Sequence, residues 1–163
     1  ALSLIDRYEN LLVVQTFSKS RAMAGMRIGF AIGSKKLIHY LKDAKFSFNS
    51  YTMNRPSIEF GTAAVKDDAY FHDICNQIIQ TRERVKPQLK KLGFIFPDSS
   101  SNFIFAKHEK VSGQELFDML KEHHIFVRHW NAPRISGYLR ITIGTDAQMD
   151  ELIAVLQDYL AER

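Results

Sequence analysis

The sequence predicts an α/β protein, because short apolar runs alternate with segments of helical periodicity along its 163 residues. The run at residues 11–14 is continuously aliphatic, which suits a strand covered on both faces, as in a parallel sheet. Residues 71–92 and 149–160 carry apolar side chains near helical spacing. With 45% hydrophobic and 25% charged residues, the composition is globular and excludes collagen-like and globally disordered chains.

The first half of the chain is predicted to contain strands, helices and the loops between them. In chain order they are strand 11–17, loop 18–27, strand 28–32, helix 34–46, loop 48–56 and helix 57–65. A longer helix follows and ends before Gly93, a residue type that commonly follows a helix end. Pro87 lies within this helix and should kink or break it, because proline lacks an N–H and clashes with the preceding turn. We therefore expect a domain boundary there, between residues 1–86 and residues 87–163.

The second half is predicted to be a compact α/β unit. Its expected strands are residues 94–96, 102–106, 125–130 and 138–143. Ser112 and Glu115 have the spacing of a capping box, which predicts a helix from about residue 112 to residue 123. Thr145 and Gln148 form a second capping box, at the start of the final helix.

Polar and small residues follow the first predicted strand, at the kind of position where open α/β sheets bind ligands. Lys19 comes just after this strand, and partial burial there would make its amine a usable nucleophile. Ser18 adds a hydroxyl, and Arg27 adds a planar cation suited to phosphate. Gly25 and Gly29 would let the backbone lie close to a ligand. The combination indicates an aldehyde cofactor that carries a phosphate; the alternative is a surface loop with incidental charges.

Residues 16–30 resemble the cofactor-lysine motif of fold-type I pyridoxal-phosphate aminotransferases, specifically the histidinol-phosphate aminotransferase group. The matching residues are Ser18, Lys19, Ala24, Gly25, Arg27, Gly29 and Phe30. The resemblance implies that pyridoxal 5'-phosphate is the cofactor, that Lys19 binds it and transfers the proton, and that Ser18 and Arg27 hold its phosphate. It further implies a C-terminal part of such an enzyme, with a remnant of the large-domain sheet followed by a small α/β domain.

The resemblance extends toward the C-terminus. Residues 101–104, 127–128 and 139–145 are similar to strand segments of the same group. This similarity implies that Arg128 and Arg140 bind the substrate, and on a weaker match it implies the same for Asn102.

The relation between Arg128 and Arg140 can also be argued from side-chain alternation. Arg128 shares a strand face with Trp130, and Arg140 shares one with Tyr138. If the two strands pair antiparallel about Arg134, which is equidistant from both arginines in sequence, the arginines lie nearly opposite each other. Like charges so placed destabilise a sheet, and an anion bound between them would remove that penalty. The alternative is two solvated arginines on an exposed sheet face.

By the resemblance, the complete protein would transaminate histidinol phosphate or imidazole-acetol phosphate with glutamate or 2-oxoglutarate, in histidine biosynthesis. It would act on a small-molecule amino donor and a keto acceptor as a cytoplasmic homodimer. The carboxylate that pairs with the pyridine nitrogen in this family normally lies upstream of the lysine strand. Asp6 is too close to Lys19 to be that carboxylate, so we expect a fragment that is inactive by itself.

Composition argues against several other partners. The net charge of +4 is scattered without a long basic run, so we expect no nucleic-acid face. No apolar run approaches the roughly 18 residues of a membrane helix, so we expect no membrane partner. Cys75 is the single cysteine, which excludes an intrachain disulfide and fits a reducing cytoplasm. The adjacent His123 and His124 have no acidic or cysteine partner at ligand spacing, so we expect no metal.

Three other functions fit the same residues. A pyridoxal-phosphate decarboxylase of a phosphorylated amino acid has strongly overlapping motifs. A transcription regulator could carry an aminotransferase-like domain that only senses the cofactor. The third alternative is an α/β scaffold that binds no cofactor.

Overall fold

The computed structural model describes residues 1–161, and the chain divides into two compact units, Ala1–Asp73 and Ile74–Arg163. In chain order its main elements are β1 (Leu12–Thr16), β2 (Gly29–Gly33), α1 (Lys35–Phe48), α2 (Arg55–Lys66), α3 (Asp68–Lys91), β3 (Phe94–Ile95), β4 (Phe103–His108), α4 (Gly113–Glu122), β5 (Arg128–His129), β6 (Tyr138–Thr142) and α5 (Asp146–Ala161). Short 3-10 helices occupy Leu2–Leu4 and Ala24–Met26. Among the described helices, none combines the length and apolar character needed to cross a membrane.

The sheet of the first unit is an antiparallel pair of strands. β1 pairs with β2 in a register that places Leu12 opposite Gly33 and Thr16 opposite Gly29. The expectation of a parallel sheet is therefore wrong for the pairing of β1 with β2, and residues 1–161 leave Val14 of β1 63% exposed. The reason is that an apolar run reports burial tendency but carries no information about strand direction. Here the loop after β1 returns the chain directly alongside it.

The helices of the first unit begin at side-chain caps. The Ser34 hydroxyl accepts a 3.4 Å hydrogen bond from the Leu37 N–H at the start of α1. The Asn54 side chain accepts a 2.8 Å bond from the Ser57 N–H at the start of α2. Both side chains satisfy N–H groups that a helix start leaves without partners. The two helices predicted at residues 34–46 and 57–65 are thus confirmed as α1 and α2, with Ser34 as the cap of α1 and both helices ending slightly later than predicted.

α3 continues through Pro87 and ends at Lys91, so the predicted break at this proline is wrong. Val85 and Leu89, on either side of Pro87 in sequence, are both fully buried, whereas Pro87 itself is exposed. Burial of one helix face outweighs the local cost of a missing hydrogen bond. The compact units divide after Asp73 instead, near the start of α3. The expected functional boundary at residues 86 and 87 stays a prediction.

The second unit contains an antiparallel sheet of four strands in the order β3-β4-β6-β5. Alternate side chains of β4 and β6 point into the core, where Ile104, Ala106, Leu139 and Ile141 are at most 1% exposed. Helices α3, α4 and α5 also contribute buried side chains to the core. They are Val85, Leu89, Leu116, Met119, Leu120, Met149, Leu152, Ile153 and Leu156. The other side chains of β4 and β6 are left on the opposite face of the sheet.

Both predicted capping boxes lie at helix starts. Ser112 Oγ accepts a 3.2 Å bond from the Glu115 N–H, and the Thr145 and Gln148 pair exchanges bonds of 2.9 and 3.3 Å. The predicted strand 125–130 is reduced to β5, because the residues that precede it complete the end of α4. His124 has a positive φ of 59°, and the Ile125 N–H donates a 2.8 Å bond to the Leu120 carbonyl.

Candidate functional site

The loop between β1 and β2 carries Ser18, Lys19 and Arg27, and a backbone hydrogen bond closes it at its base. The Phe17 N–H donates a 3.1 Å bond to the Ile28 carbonyl, and both side chains are only 8% exposed. Ser18 and Arg27 are the next residues beyond this bond, one on each arm of the loop. The structure therefore brings together the backbones of the two residues predicted to hold a phosphate.

Lys19 lies in a turn directly after β1. The Ala22 N–H donates a 3.1 Å bond to the Lys19 carbonyl, and the Ser18 N–H donates a 3.3 Å bond to the Thr16 hydroxyl. Ala22 has a positive φ of 53°, which lets the chain reverse there. The Lys19 side chain is exposed, so the burial expected for it is not supplied by residues 1–161. Its primary amine is thus accessible to a carbonyl compound.

Arg27 has left-handed backbone geometry, with φ 55° and ψ 40°. Its Nη1 donates a 3.0 Å bond to the Ala24 carbonyl, and the side chain is exposed. This bond holds the guanidinium against its own loop while the rest of its planar fork of N–H donors stays available to an anion.

The sequence did not reveal two side chains that hold this loop in place. Ser57 is 2% exposed, and its hydroxyl donates a 2.7 Å bond to the Met26 carbonyl, next to Arg27. Arg21 donates a hydrogen bond to the Ala64 carbonyl, and its guanidinium carbon lies 4.1 Å from the centre of the Phe71 ring. No short-range motif links such distant positions.

A second group of predicted site residues lies on the sheet of the second unit. Arg128 on β5 is directly opposite Arg140 on β6, which confirms the register predicted from strand alternation. The guanidinium carbons lie 5.4 Å and 5.6 Å from the centre of the Trp130 ring. Arg140 Nε is buried and has no hydrogen-bond partner in residues 1–161. An unpartnered buried donor is costly, and a bound anion is one way to satisfy it.

Aromatic rings surround the arginine pair, and we call Phe103, Phe105, Trp130 and Tyr138 the aromatic face. The Phe103 ring centre lies 5.2 Å from the Arg140 guanidinium carbon. Phe105 stacks on Tyr138 with ring centres 4.5 Å apart, and it contacts Trp130 edge-to-face at 6.1 Å. Trp130 thus contacts Arg140 directly, and Tyr138 lies two positions before Arg140 on β6.

Asn102 lies immediately before β4. Its carbonyl accepts a 2.9 Å bond from the Ile143 N–H, and its side-chain oxygen accepts a 3.4 Å bond from the Ser101 hydroxyl. Arg82 in turn donates a 2.9 Å bond to the Ser101 carbonyl and is 7% exposed. The segment that carries Asn102 is therefore anchored to α3.

Lys86 anchors the same segment through charge. Its Nζ donates bonds of 2.8 Å to Glu83 and 2.6 Å to Asp98, and one of 3.1 Å to the Ser99 carbonyl. Hydrogen bonds from Lys86 and then Arg82 lower the pKa of Glu83, and the bond from Lys86 lowers the pKa of Asp98. Bonds to Asp98 and Glu83 raise the pKa of Lys86. This network was not predicted from the sequence.

Cys75 is half-buried in α3, and His123 and His124 lie at the end of α4. Within residues 1–161 no three His, Cys, Asp or Glu side chains are grouped so that they could hold a metal ion.

The sequence is similar to known proteins over almost its whole length. A profile of the family described as aminotransferase class I and II matches residues 1–156. A histidinol-phosphate aminotransferase of Brachyspira hyodysenteriae is 53% identical over 150 residues, which are 92% of this chain and 42% of that protein. A histidinol-phosphate aminotransferase of Lactococcus lactis subsp. cremoris is 48% identical over 162 residues, which are 99% of this chain and 46% of that protein. The chain spans about half the length of these relatives.

Solved structures match over the same extent. The histidinol-phosphate aminotransferase from Sinorhizobium meliloti in complex with pyridoxal-5'-phosphate superposes with a TM-score of 0.82 at 26% identity, covering 99% of this chain and 44% of that one. The L-threonine-O-3-phosphate decarboxylase from Porphyromonas gingivalis superposes with a TM-score of 0.76 at 24% identity, covering 98% of this chain and 49% of that one. The second likeness is one of fold alone.

Proposed function

Because the chain belongs to the aminotransferase class I and II family, we propose that it is part of a pyridoxal-phosphate-dependent enzyme that transaminates histidinol phosphate with 2-oxoglutarate. The observation that carries the proposal is the opposed pair Arg128 and Arg140, with the buried unpartnered Nε of Arg140. The names of relatives 48% and 53% identical to this chain support the same substrate.

The donor set of the first unit fits pyridoxal 5'-phosphate. The loop between β1 and β2 presents a primary amine, a hydroxyl and a guanidinium on Lys19, Ser18 and Arg27, whose backbones are ordered by the bonds described above. Ser18 and Arg27 would hold the phosphate by charge-assisted hydrogen bonds. When bound, this cofactor supplies an electron sink for the negative charge that develops at the substrate α-carbon.

Lys19 has two roles in this proposal. Its amine would hold the cofactor covalently through the aldehyde carbon, since an accessible amine is the nucleophile that such a carbonyl requires. With an amino donor bound, the Lys19 amine would take the proton from the α-carbon of the donor. Both roles need the amine to be accessible, and the side chain is exposed in residues 1–161.

Arg128 and Arg140 would bind the anionic groups of the substrate. Two guanidiniums on one sheet face provide planar donor forks that match phosphate or carboxylate oxygens. Asn102 would add an amide from the segment anchored by Arg82. The keto acceptor would use the same arginines through its own carboxylates. We further propose a cytoplasmic homodimer for the complete enzyme, as its family implies.

The alternative of a decarboxylase acting on a phosphorylated amino acid uses the same anion-binding chemistry. The likeness in fold to L-threonine-O-3-phosphate decarboxylase keeps this alternative in the test. Product analysis separates the two reactions, because a transaminase forms one glutamate for each keto product and a decarboxylase releases carbon dioxide.

The deciding experiment incubates the complete enzyme and pyridoxal phosphate with histidinol phosphate and 2-oxoglutarate. We expect glutamate to form, and we expect unphosphorylated histidinol to be a much poorer donor. Carbon dioxide release from a phosphorylated amino acid without glutamate formation would show that the decarboxylase alternative is correct. Absence of cofactor-dependent turnover with either substrate would overturn the enzymatic proposal.

A further inference from the structure

Trp130 contacts both members of the arginine pair. Its ring centre lies 5.4 Å from the guanidinium carbon of Arg128 and 5.6 Å from that of Arg140. Both distances are within the range at which the negative face of an aromatic ring attracts a cation. Trp130 is the single tryptophan of the chain and is half-buried just after β5.

The arginine pair needs such a neighbour when no ligand is bound. Arg128 and Arg140 are opposite each other on adjacent antiparallel strands, where like charges destabilise pairing. Acidic side chains do not offset this repulsion: within residues 1–161, the arginines that form ion pairs with Asp or Glu are Arg55, Arg82 and Arg84.

An aromatic ring offsets the repulsion without competing with the ligand. A carboxylate beside the arginines would occupy their N–H donors and would repel an anionic substrate. A ring attracts the flat face of a guanidinium through its quadrupole and leaves the in-plane N–H donors available. The Trp130 ring is itself held by an edge-to-face contact with Phe105 at 6.1 Å, and Phe105 stacks on Tyr138 at 4.5 Å.

We propose that Trp130 is a positioning residue that holds Arg128 and Arg140 ready for the phosphate of the substrate. The inference rests on the proposed function, because it takes the arginine pair as the anion site. Trp130 acts through the two guanidiniums, so its removal should weaken binding of the phosphorylated substrate and leave the chemical step intact.

The test compares three variants of the complete enzyme with the wild type. Trp130→Phe keeps a ring with a negative face, and Trp130→Leu keeps apolar bulk without one. Phe126→Leu is the matched control, since Phe126 is a neighbouring aromatic that is 76% exposed and has no described guanidinium over its ring. KM and kcat are measured for histidinol phosphate and for histidinol.

We expect Trp130→Leu to raise the KM for histidinol phosphate about tenfold, with kcat within about twofold of wild type. The KM for unphosphorylated histidinol should change by less than about twofold, and Trp130→Phe and Phe126→Leu should stay within about threefold of wild type on both substrates. If Trp130→Leu does not accumulate as folded protein, Trp130→Met replaces it, because methionine also lacks the ring.

Two results would overturn the inference. One is an unchanged KM for histidinol phosphate in Trp130→Leu; the other is an equal loss on both substrates or in kcat, which indicates a structural role. Arg140→Ala, measured alongside, separates this failure from that of the proposed function. If Arg140→Ala lowers the preference for the phosphorylated donor and Trp130→Leu does not, only the positioning role is wrong. If Arg140→Ala also leaves the preference unchanged, the anion site itself is wrong.

Discussion

The buried hydroxyl of Ser57 donates a 2.7 Å hydrogen bond to the carbonyl of Met26, and this bond attaches α2 to the loop that carries Arg27. The backbone next to a proposed phosphate ligand is thus held by a side chain from another element. Gly61, on the same helix, reinforces the attachment, because a Cβ there would lie 2.7 Å from Ile28 Cδ1.

Replacing Ser57 with alanine should therefore weaken the first unit and the cofactor site together. Loss of the buried hydroxyl leaves the Met26 carbonyl without this partner, which costs about 1–3 kcal/mol. Urea denaturation measures the loss, and titration with pyridoxal phosphate should show weaker binding. Thr62→Ala is the control, since Thr62 is an exposed residue of α2 that bonds only within its helix and should cost no more than about 0.5 kcal/mol. Equal effects of the two substitutions would contradict the role of Ser57.

Lys19→Ala should abolish transamination by the complete enzyme, because no other amine in this loop can take its place. Borohydride reduction followed by peptide mapping should locate pyridoxyl label on Lys19 in the wild type and find none at this position in the variant. Lys36→Ala, which removes an exposed lysine of α1, serves as the control and should keep the label. Full activity in Lys19→Ala would contradict the assignment of Lys19 as the residue that binds the cofactor.

The role of Arg27 is tested with two substitutions, because its φ of 55° means that a replacement can change backbone strain as well as charge. Glycine adopts this backbone geometry without strain, so Arg27→Gly removes the side chain and its guanidinium without adding backbone strain. Loss of charge-assisted bonds should lower cofactor affinity about ten- to a hundredfold, equivalent to roughly 1.5–3 kcal/mol. Arg27→Ala should lose the same affinity but be less stable than Arg27→Gly, because alanine, like arginine, is strained at that φ and glycine is not. Cofactor titration of both variants is the measurement, and wild-type affinity in Arg27→Gly would exclude a phosphate ligand at this position.

Family and fold could be predicted because the informative residues of the lysine loop are contiguous, and both predictions are confirmed. The opposition of Arg128 and Arg140 was also predictable, since period-two alternation and a short connection define an antiparallel register. Strand direction at β1 and helix continuity at Pro87 were not, because both depend on packing rather than on local pattern.

The hydrogen bonds that hold the loop between β1 and β2 could not be predicted from the sequence, for a different reason. The bond from Ser57 to Met26 spans 31 positions, and the bond from Arg21 to Ala64 spans 43. Each joins a side chain to a backbone carbonyl, and every residue has a carbonyl, so residue types at the two positions carry no signal. Such contacts emerge only when the elements are placed in space.

The Lys86 network predicts a dependence of stability on pH. The pKa values of Glu83 and Asp98 are lowered in the folded chain by hydrogen bonds from Lys86, so folding favours their charged forms. Their contribution is present above the pKa values of the unfolded chain and is lost as the pH falls through the lowered folded values. The raised pKa of Lys86 adds a contribution that is lost only at high pH, above its folded value.

Urea denaturation across the acid range should therefore show a steeper loss of stability in the wild type than in Lys86→Met. Lys91→Met removes an exposed lysine of the same helix and should keep the wild-type slope; identical slopes in all three proteins would contradict the prediction.

The geometry of the guanidinium at position 140 should matter as much as its charge. Arg140 lies opposite Arg128, and the guanidinium carbons of both lie within 5.6 Å of the centre of the Trp130 ring. Arg140→Lys keeps the charge but replaces the planar fork with a compact ammonium, which cannot give a bidentate contact to a phosphate or carboxylate.

We expect Arg140→Lys and Arg140→Ala to lower kcat/KM for histidinol phosphate by similar factors, about ten- to a hundredfold. The ratio of kcat/KM for phosphorylated and unphosphorylated donors should fall in both variants, because only the phosphorylated donor uses the full anion site. Wild-type discrimination in Arg140→Lys would mean that charge alone suffices. Unchanged discrimination in Arg140→Ala as well would mean that the two arginines are a solvated sheet face.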